Sequence, residues 1–209
     1  MMKAWLDLLQ RHRAIAVIRT TQSAQGYQMA KAVVAGGMHL IEVAWTSDKS
    51  AELIARLQAE LPHCTIGTGT LLNLEQLNDA IAAGAKFLFS PHCDTAMIHA
   101  AVQQNIPIIP GALSPTEIVH AYSAGASGVK VFPIQAVGGA SYIKSLQGPL
   151  GHIPLIPTGG VTLSNAREFI VAGAIAVGLA SELFPKHLVD PENWEAISQH
   201  AKTLMEQLH

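Results

Sequence analysis

The sequence has little charge and few aromatic side chains. Charged residues make up 13% and aromatic residues 5% of the 209 positions, and the formal net charge is −2. A chain so close to neutrality offers no basic surface for nucleic acid or for an anionic membrane. It also offers few rings on which bases could stack. We therefore expect neither nucleic acid nor a membrane as a partner.

Cysteine is too scarce to form a disulfide framework. Cys64 and Cys93 form no CxxC pair, which predicts free thiols in a reducing cytosol. No apolar run is long enough to span a bilayer. Near the N-terminus, Asp7, Arg11 and Arg13 interrupt the apolar core that a signal peptide needs. We expect a cytoplasmic protein with an amphipathic first helix.

Apolar residues are abundant, at 49% of the chain. A chain of this length buries roughly 70% of its unfolded surface when it folds as one unit. The sequence therefore predicts a single domain over residues 1–209.

One small-residue signature occurs four times. In each copy a helix-like stretch ends at Ala-Gly, and a short apolar run follows, which is typical of a buried parallel strand. Glycine at this point supplies the left-handed conformation that ends a helix. The four copies span residues 34–43, 82–90, 123–132 and 171–179, with the glycines Gly36, Gly84, Gly125 and Gly173.

Further apolar runs raise the number of predicted strands to eight. They lie at residues 14–18, 64–69, 106–110 and 153–157, with helical segments between the strands. Eight alternations within one domain predict an α/β fold, a (β/α)8 TIM barrel with an extra N-terminal helix. An open doubly wound sheet is the alternative. It would normally carry a GxGxxG turn after the first strand, and the segment AVIRTTQS has none.

A lysine interrupts one of the predicted strands. In GVKVF, residues 128–132, side chains alternate, so Lys130 faces the interior if its valine neighbours face the helices. The same alternation in HLIEVAW directs Glu42 inward. A desolvated lysine can condense with a ketone to form a Schiff base, and a nearby carboxylate can move the protons. The alternatives are a buried ion pair that only fixes packing, or a surface position for Lys130.

Two glycine-rich or small-residue turns follow the last two predicted strands. Gly159 and Gly160 follow one strand, with Ser164 as the expected N-cap of the next helix, and Ala180 and Ser181 follow the other. Backbone amides after strands seven and eight of a barrel commonly bind phosphate. The two turns together predict a phosphate site, although a GG turn alone is ordinary turn chemistry.

Other catalytic constellations are missing from the sequence. The ten histidines include no HxxxH or HxH pair, and the serines include no GxSxG elbow. The neighbours His92, Cys93 and Asp94 are too close in sequence to surround an ion. We therefore expect no metal centre and no hydrolase triad.

The chain resembles the class I aldolases that cleave 2-keto-3-deoxy-6-phosphogluconate (KDPG) and 4-hydroxy-2-oxoglutarate (KHG). The similarity extends over nearly the whole chain, and the lysine motif followed by the GG motif is its most specific part. The matching stretches, in order, are AVIR, AGG with IEV, GTGT, SP, IPGA, GVKVFP, PTGGV and AS. The resemblance implies a (β/α)8 barrel, a homotrimer, and no metal or organic cofactor.

The resemblance also implies roles for individual residues. Lys130 falls on the Schiff-base lysine, and Glu42 falls on the general acid/base. Thr70, Pro91 and Phe132 fall on positions that line the keto-acid pocket. Gly159, Gly160 and Ser181 fall on the phosphate cradle, to which we add Ala180 because it lies in the same turn as Ser181.

One departure from the family pattern affects substrate recognition. Phosphogluconate-type members follow the glutamate with a T-L-R-T-like run whose arginine holds the substrate carboxylate. In this chain Thr46 stands there, and we expect it to be one of the substrate-binding residues. The related 6-phosphogalactonate aldolases also lack that arginine. We hypothesise that Arg19 supplies the missing charge. A second departure is His92, which we expect to narrow the pocket because small residues are common there.

The expected function is retro-aldol cleavage of KDPG to pyruvate and glyceraldehyde 3-phosphate, with KHG as a possible second substrate. The 6-phosphogalactonate isomer is the alternative substrate. Two other functions stay open: a sugar-phosphate isomerase or epimerase that uses Lys130 for electrostatics alone, and a non-catalytic binder of a sugar-acid phosphate with the same fold.

Overall fold

A computed structural model describes residues 2–209 of the chain, in which short strands alternate with helices. The strands are β1 Ala14–Ile18, β2 Leu40–Ala44, β3 Thr65–Gly69, β4 Leu88–Phe89, β5 Ile108–Ile109, β6 Gly111–Ala112, β7 Val129–Val131, β8 Leu155–Pro157 and β9 Val177–Leu179. The helices are α1 Met2–His12, α2 Ser23–Ala35, α3 Ser50–Glu60, α4 Leu74–Ala82, α5 Thr95–Gln103, α6 Pro115–Ser123, α7 Ala140–Leu150, α8 Ala166–Val171, α9 Lys186–Val189 and α10 Trp194–Leu208. A 3₁₀ helix spans Ile134–Val137.

The strands form a curled, parallel sheet in two hydrogen-bonded parts. One part has the order β5-β4-β3-β2-β1-β9, and the other has the order β6-β7-β8. The predicted α/β class with parallel strands is therefore confirmed. None of the helices within residues 2–209 combines the length and the apolar composition that crossing a bilayer requires.

Proline divides one predicted strand into two. The apolar run 106–110 forms β5 at 108–109, and β6 begins at Gly111, on the far side of Pro110. Proline has no N–H to donate to a neighbouring strand. The carbonyls of Ile108 and Pro110 nevertheless accept hydrogen bonds from Ser127 N at 2.9 Å and Lys130 N at 2.9 Å. This segment therefore contacts strands of both parts of the sheet.

The apolar residues form two layers, one on each face of the sheet. Ile41 and Val43 of β2 pack with the helices, whereas Leu40 packs with Phe89 and Ile156 on the concave face. The predicted inward and outward alternation of β2 is confirmed. Trp5 of α1 belongs to the inner layer, with its ring centroid 5.1 Å from that of Phe87. Helix α1 therefore covers the end of the sheet at which the strands begin.

Two details of the predicted helix ends were wrong, namely which glycine after α2 takes the left-handed conformation and which residue is the N-cap of α8. Gly84, Gly125 and Gly173 take the left-handed conformation, but in the first copy of the signature Gly36 has φ −82° and Gly37 has φ +94°. A Cβ on Gly36 would collide with the carbonyl oxygen of Ser198 in α10, so close helix packing explains this glycine. The N-cap of α8 is Asn165 rather than Ser164.

Candidate active site

The residues predicted to bind substrate and phosphate lie just beyond the C-terminal ends of the strands, whereas the two proposed catalytic side chains project from within strands. Lys130 is the middle residue of β7, and Glu42 is the middle residue of β2. Both side chains are buried, with 6% of Lys130 and 2% of Glu42 exposed. The surface position considered for Lys130 is thereby excluded.

Glu42 is a buried acid without a hydrogen-bond partner at one of its oxygens. Its Oε1 atom is buried and accepts no hydrogen bond from the described residues. Burial raises the pKa of Glu42, and the charges of Lys130 and Arg19 partly oppose that shift. Such a carboxyl group is able to hold a proton and to donate it to a substrate oxygen.

Glycine at position 69 makes room for this acid. Gly69 ends β3 and pairs with Ala44 of the neighbouring strand β2. A Cβ at position 69 would overlap the carboxylate of Glu42. The glycine therefore fixes where the Glu42 side chain can lie. Sequence reasoning placed Gly69 in the GTGT motif but did not assign it this packing role.

Lys130 and Glu42 do not form an ion pair. Within residues 2–209, two pairs bring a carboxylate oxygen within 4.0 Å of a lysine or arginine nitrogen. They are Lys49–Glu52 and Arg56–Glu60, and they lie on α3 and at its N-cap. The alternative of a buried pair that only fixes packing is therefore contradicted. The charge of Lys130 still acts on Glu42, because it opposes the rise in the pKa of the carboxyl group that burial causes.

Aromatic rings surround the amine of Lys130. Its Nζ atom lies 4.9 Å from the ring centroid of Phe132 and 5.7 Å from that of Phe89. The two rings contribute to the burial of the amine and can also stabilise a positive charge at this nitrogen. Sequence reasoning identified Phe132 but not Phe89, whose inward position follows from the alternation of Phe87 and Phe89 along the same run.

Arg19 and Thr70 meet at the rim of the site. Arg19 follows β1, is exposed, and donates a hydrogen bond from Nη2 to Thr70 Oγ1 at 3.3 Å. Thr70 follows β3 with φ +62°, an uncommon conformation for a residue with a branched side chain. Thr46 lies in the turn after β2 and is exposed. The structure therefore brings Arg19 into contact with Thr70, one of the residues predicted to bind substrate.

A cavity of about 480 Å³ adjoins the site. Pro91, His92 and Phe132 line it together with Glu117 and His120 of α6. A Cβ on Gly111, which also lines the cavity, would collide with the backbone of Pro91. Pro91 and Phe132 are thus brought together as predicted. Sequence reasoning did not identify the contribution of α6, because no motif marks it.

The two turns predicted to bind phosphate are neighbours. Thr158 and Gly178 pair in a parallel bridge. The ends of β8 and β9 are therefore adjacent, and so are the turns that follow them. Gly159 has φ +80° and Gly160 has φ +99°. A Cβ on Gly159 would lie 3.0 Å from the ring of Phe132. On the adjacent turn, Ala180 and Ser181 are exposed.

Comparisons with known proteins agree with this geometry. The family model for KDPG and KHG aldolases matches residues 6–200. A 2-dehydro-3-deoxy-phosphogluconate aldolase of Pseudomonas aeruginosa is 33% identical over 97% of this chain and 93% of its own length.

Solved structures also match over most of their length. The KDPG aldolase of Legionella pneumophila, with pyruvate captured as a covalent carbinolamine intermediate, has a TM-score of 0.88 and 28% identity, covering 95% of this chain and 97% of that one. A structure described as native KDPGal has a TM-score of 0.85 and 28% identity, covering 93% of each chain.

Proposed function

The chain belongs to the KDPG and KHG aldolase family, and from this membership we propose that it cleaves KDPG to pyruvate and glyceraldehyde 3-phosphate through a Schiff base on Lys130. Its relatives identify it as an aldolase, a carbon–carbon lyase. The observation that carries the proposed mechanism is a buried lysine amine near a buried acid with no ion pair between them.

The proposed reaction begins at the C2 ketone of the substrate. The neutral amine of Lys130 adds to C2 and forms a carbinolamine, and Glu42 protonates the departing hydroxyl so that water leaves. The resulting iminium accepts the electron pair of the C3–C4 bond when that bond breaks. The C4 hydroxyl loses its proton to a base, and glyceraldehyde 3-phosphate departs.

The second half of the reaction regenerates the enzyme. The enamine left on Lys130 takes a proton at C3 and becomes the iminium of pyruvate. Water adds to this iminium, and pyruvate leaves as the lysine amine is restored. Glu42 is the proposed group that moves protons in both halves, because its raised pKa keeps a protonated form accessible.

The remaining predicted residues bind the two ends of the substrate in this proposal. Arg19 and Thr70 bind the carboxylate next to C2, which an arginine can hold through charge-assisted hydrogen bonds. Pro91 and Phe132 line the chain between the two ends. The phosphate lies at the adjacent turns of residues 159–160 and 180–181, supported by the Thr158–Gly178 bridge.

We also propose that the sheet is a closed (β/α)8 barrel in one domain spanning residues 1–209. Two observations support closure: residues 108–112 contact strands of both parts of the sheet, and the Thr158–Gly178 bridge joins their other ends. The homotrimer implied by the family resemblance is a further proposal, tested by measuring the molar mass in solution by light scattering.

Borohydride reduction in the presence of pyruvate tests the covalent step. We expect a pyruvate adduct on the peptide that contains Lys130, and no adduct in Lys130→Arg, which keeps the positive charge but cannot form the same Schiff base. Lys144→Arg, at an exposed position of α7, is the matched control and should still be trapped. An enzyme that released pyruvate without an adduct at Lys130 would refute the mechanism.

Cleavage of 2-keto-3-deoxy-6-phosphogalactonate is the second candidate function. Thr46 favours it, because that branch also lacks the arginine of the phosphogluconate-type enzymes. A coupled assay of pyruvate release with both phosphorylated epimers and with KHG compares kcat/KM directly. A preference for the galactonate isomer would replace the proposed substrate, and ligand binding without pyruvate release would indicate a non-catalytic binder.

A further inference from the structure

Three side chains of the kind that bind transition metals meet where β2 and β3 begin, at the opposite end of these strands from the candidate active site. They are His39, immediately before β2, and His63 and Cys64, immediately before β3. One ligand atom from each lies within 4.8 Å of the other two. The Sγ atom of Cys64 is 3.8 Å from Nδ1 of His39.

The strand register explains why these residues meet. Leu40 of β2 pairs with Thr65 of β3, so His39 and Cys64 precede paired residues. The amide of Thr65 donates a hydrogen bond to the carbonyl oxygen of His39 at 2.8 Å, which holds the first residues of the two strands side by side. A turn in which Cys64 N bonds to Leu61 O at 2.9 Å brings His63 back to the same place.

From this arrangement we propose that His39, His63 and Cys64 bind a zinc ion, with water completing the coordination. Imidazole nitrogen and thiolate sulfur are the ligands that zinc prefers, and the absence of a carboxylate from the group disfavours magnesium and calcium. Tetrahedral zinc with ordinary bond lengths holds a sulfur and a nitrogen ligand about 3.6 Å apart. The 3.8 Å between Cys64 and His39 is close to that separation.

The exposure of the three side chains allows a metal ion to reach them from solvent. His63 is exposed, and His39 and Cys64 are half-buried, so an ion can enter without rearrangement of the sheet. The ring of His12 in α1 packs edge-on against His39, with 5.3 Å between centroids, and helps to orient that ligand.

A reactive or redox-sensing thiol is a competing interpretation of Cys64. Burial raises the pKa of the Cys64 thiol to about 11, which lowers its reactivity as a free thiol and also means that zinc must displace the thiol proton in order to bind. Cys64 and Cys93 are both free, so no disulfide uses this sulfur.

We expect the proposed zinc ion to stabilise the fold without affecting the aldolase reaction. His39 is three residues before Glu42, which is about 10 Å along a strand. Side-chain alternation also directs the two residues to opposite faces of the sheet. We therefore expect zinc to raise the melting temperature, because binding is coupled to folding, and to leave kcat unchanged.

Cobalt titration of tag-free, metal-stripped protein tests the site. We expect one equivalent of Co²⁺ per chain to give a thiolate charge-transfer band, which Zn²⁺ then removes. Cys64→Ser should lose the band and the zinc-dependent rise in melting temperature, and the surface variant His63→Ala should weaken zinc affinity by at least about tenfold.

Cys93→Ser and His152→Ala are matched controls, and circular dichroism confirms that each variant is folded. Both controls should keep the band and the affinity of the wild type. The proposal is overturned by binding that is not stoichiometric, by a band that persists in Cys64→Ser, or by unchanged zinc affinity in His63→Ala. These readouts do not depend on aldolase activity.

Discussion

Glu42 is costly to bury, and the same burial gives it the raised pKa that the proposed proton transfers use. Its Oε1 atom is buried without a hydrogen-bond partner, and desolvation raises its pKa above the ordinary value of 4.5. An unfolded chain deprotonates this group at a lower pH than the folded protein does. Stability from this group is therefore highest at low pH and is lost as pH rises through the folded-state pKa.

We predict that Glu42→Gln changes both catalysis and the pH dependence of stability, and that each change can be measured separately. The amide has nearly the same shape but cannot move a proton, so kcat for pyruvate release should fall by about 10²- to 10⁴-fold. Urea unfolding at several pH values should show that the wild type loses stability as pH rises above the ordinary glutamate pKa, and that the variant loses less. A variant with the same pH dependence as the wild type would mean that Glu42 titrates normally.

Arg19 is the residue on which the assignment of the carboxylate pocket depends. It reaches Thr70 at 3.3 Å from the end of β1, whereas the family arginine would stand at the position of Thr46. A charge-assisted contact contributes about 1.5–3 kcal/mol. We predict that Arg19→Ala lowers kcat/KM by about 10- to 100-fold, chiefly by raising KM.

A compensating variant makes this prediction sharper. Thr46→Arg restores the arginine of the phosphogluconate-type enzymes, and it should recover part of the kcat/KM lost in Arg19→Ala. Arg167→Ala, at an exposed position of α8, is the matched control and should behave as the wild type does. Unchanged kinetics in Arg19→Ala would exclude Arg19 from substrate binding.

Much of the candidate site could be predicted at the scale of single residues. Alternation along two strands directs Lys130 and Glu42 inward, because each is flanked by residues that pack with the helices. The role of Gly69 could not be predicted in this way. It depends on how close position 69 lies to the carboxylate of Glu42 in the neighbouring strand. No local sequence pattern indicates that distance between two strands.

At the scale of elements, the repeated Ala-Gly signature shows where local patterns succeed and fail. Gly84, Gly125 and Gly173 follow their helices in the left-handed conformation, as a local rule predicts. In the first copy two glycines are adjacent, and Gly37 takes that conformation. Gly36 instead packs against α10, a helix more than 150 residues later in the chain, which no local rule anticipates.

Alanine substitutions should distinguish these two glycines. A methyl group on Gly36 would collide with Ser198 O and approach Ala201 Cβ to 2.5 Å, so Gly36→Ala should cost about 1–3 kcal/mol. Gly37→Ala meets only Met205 Cγ at 3.9 Å and should cost about 1 kcal/mol through backbone strain. Urea denaturation measures both, and a larger loss in Gly37→Ala would contradict the packing argument.

At the scale of the whole molecule, the two ends of the sheet differ in what covers them. Arg19 and Thr70 lie just beyond the C-terminal ends of β1 and β3, and Lys130 projects into the interior from β7. At the opposite end, Trp5 and Leu9 of α1 pack against the inner layer and close it. The amphipathic first helix was predicted from sequence. The position of this helix over the end of the sheet was not predicted, because an apolar helix face does not specify the surface against which it packs.

We predict that Trp5→Ala lowers stability without impairing catalysis. The indole is 4% exposed and packs on Phe87, so its removal should cost about 3–5 kcal/mol of unfolding free energy. Leu72→Ala, at a side chain that is 51% exposed, is the control and should change stability by no more than about 0.5 kcal/mol.

At temperatures where both variants are folded, kcat for pyruvate release should equal that of the wild type, because Trp5 lies at the end of the sheet away from Lys130. A large fall in kcat for folded Trp5→Ala would show that the two ends are coupled through the inner layer, in which Phe87 contacts Phe89 and Phe89 lies 5.7 Å from the Lys130 amine.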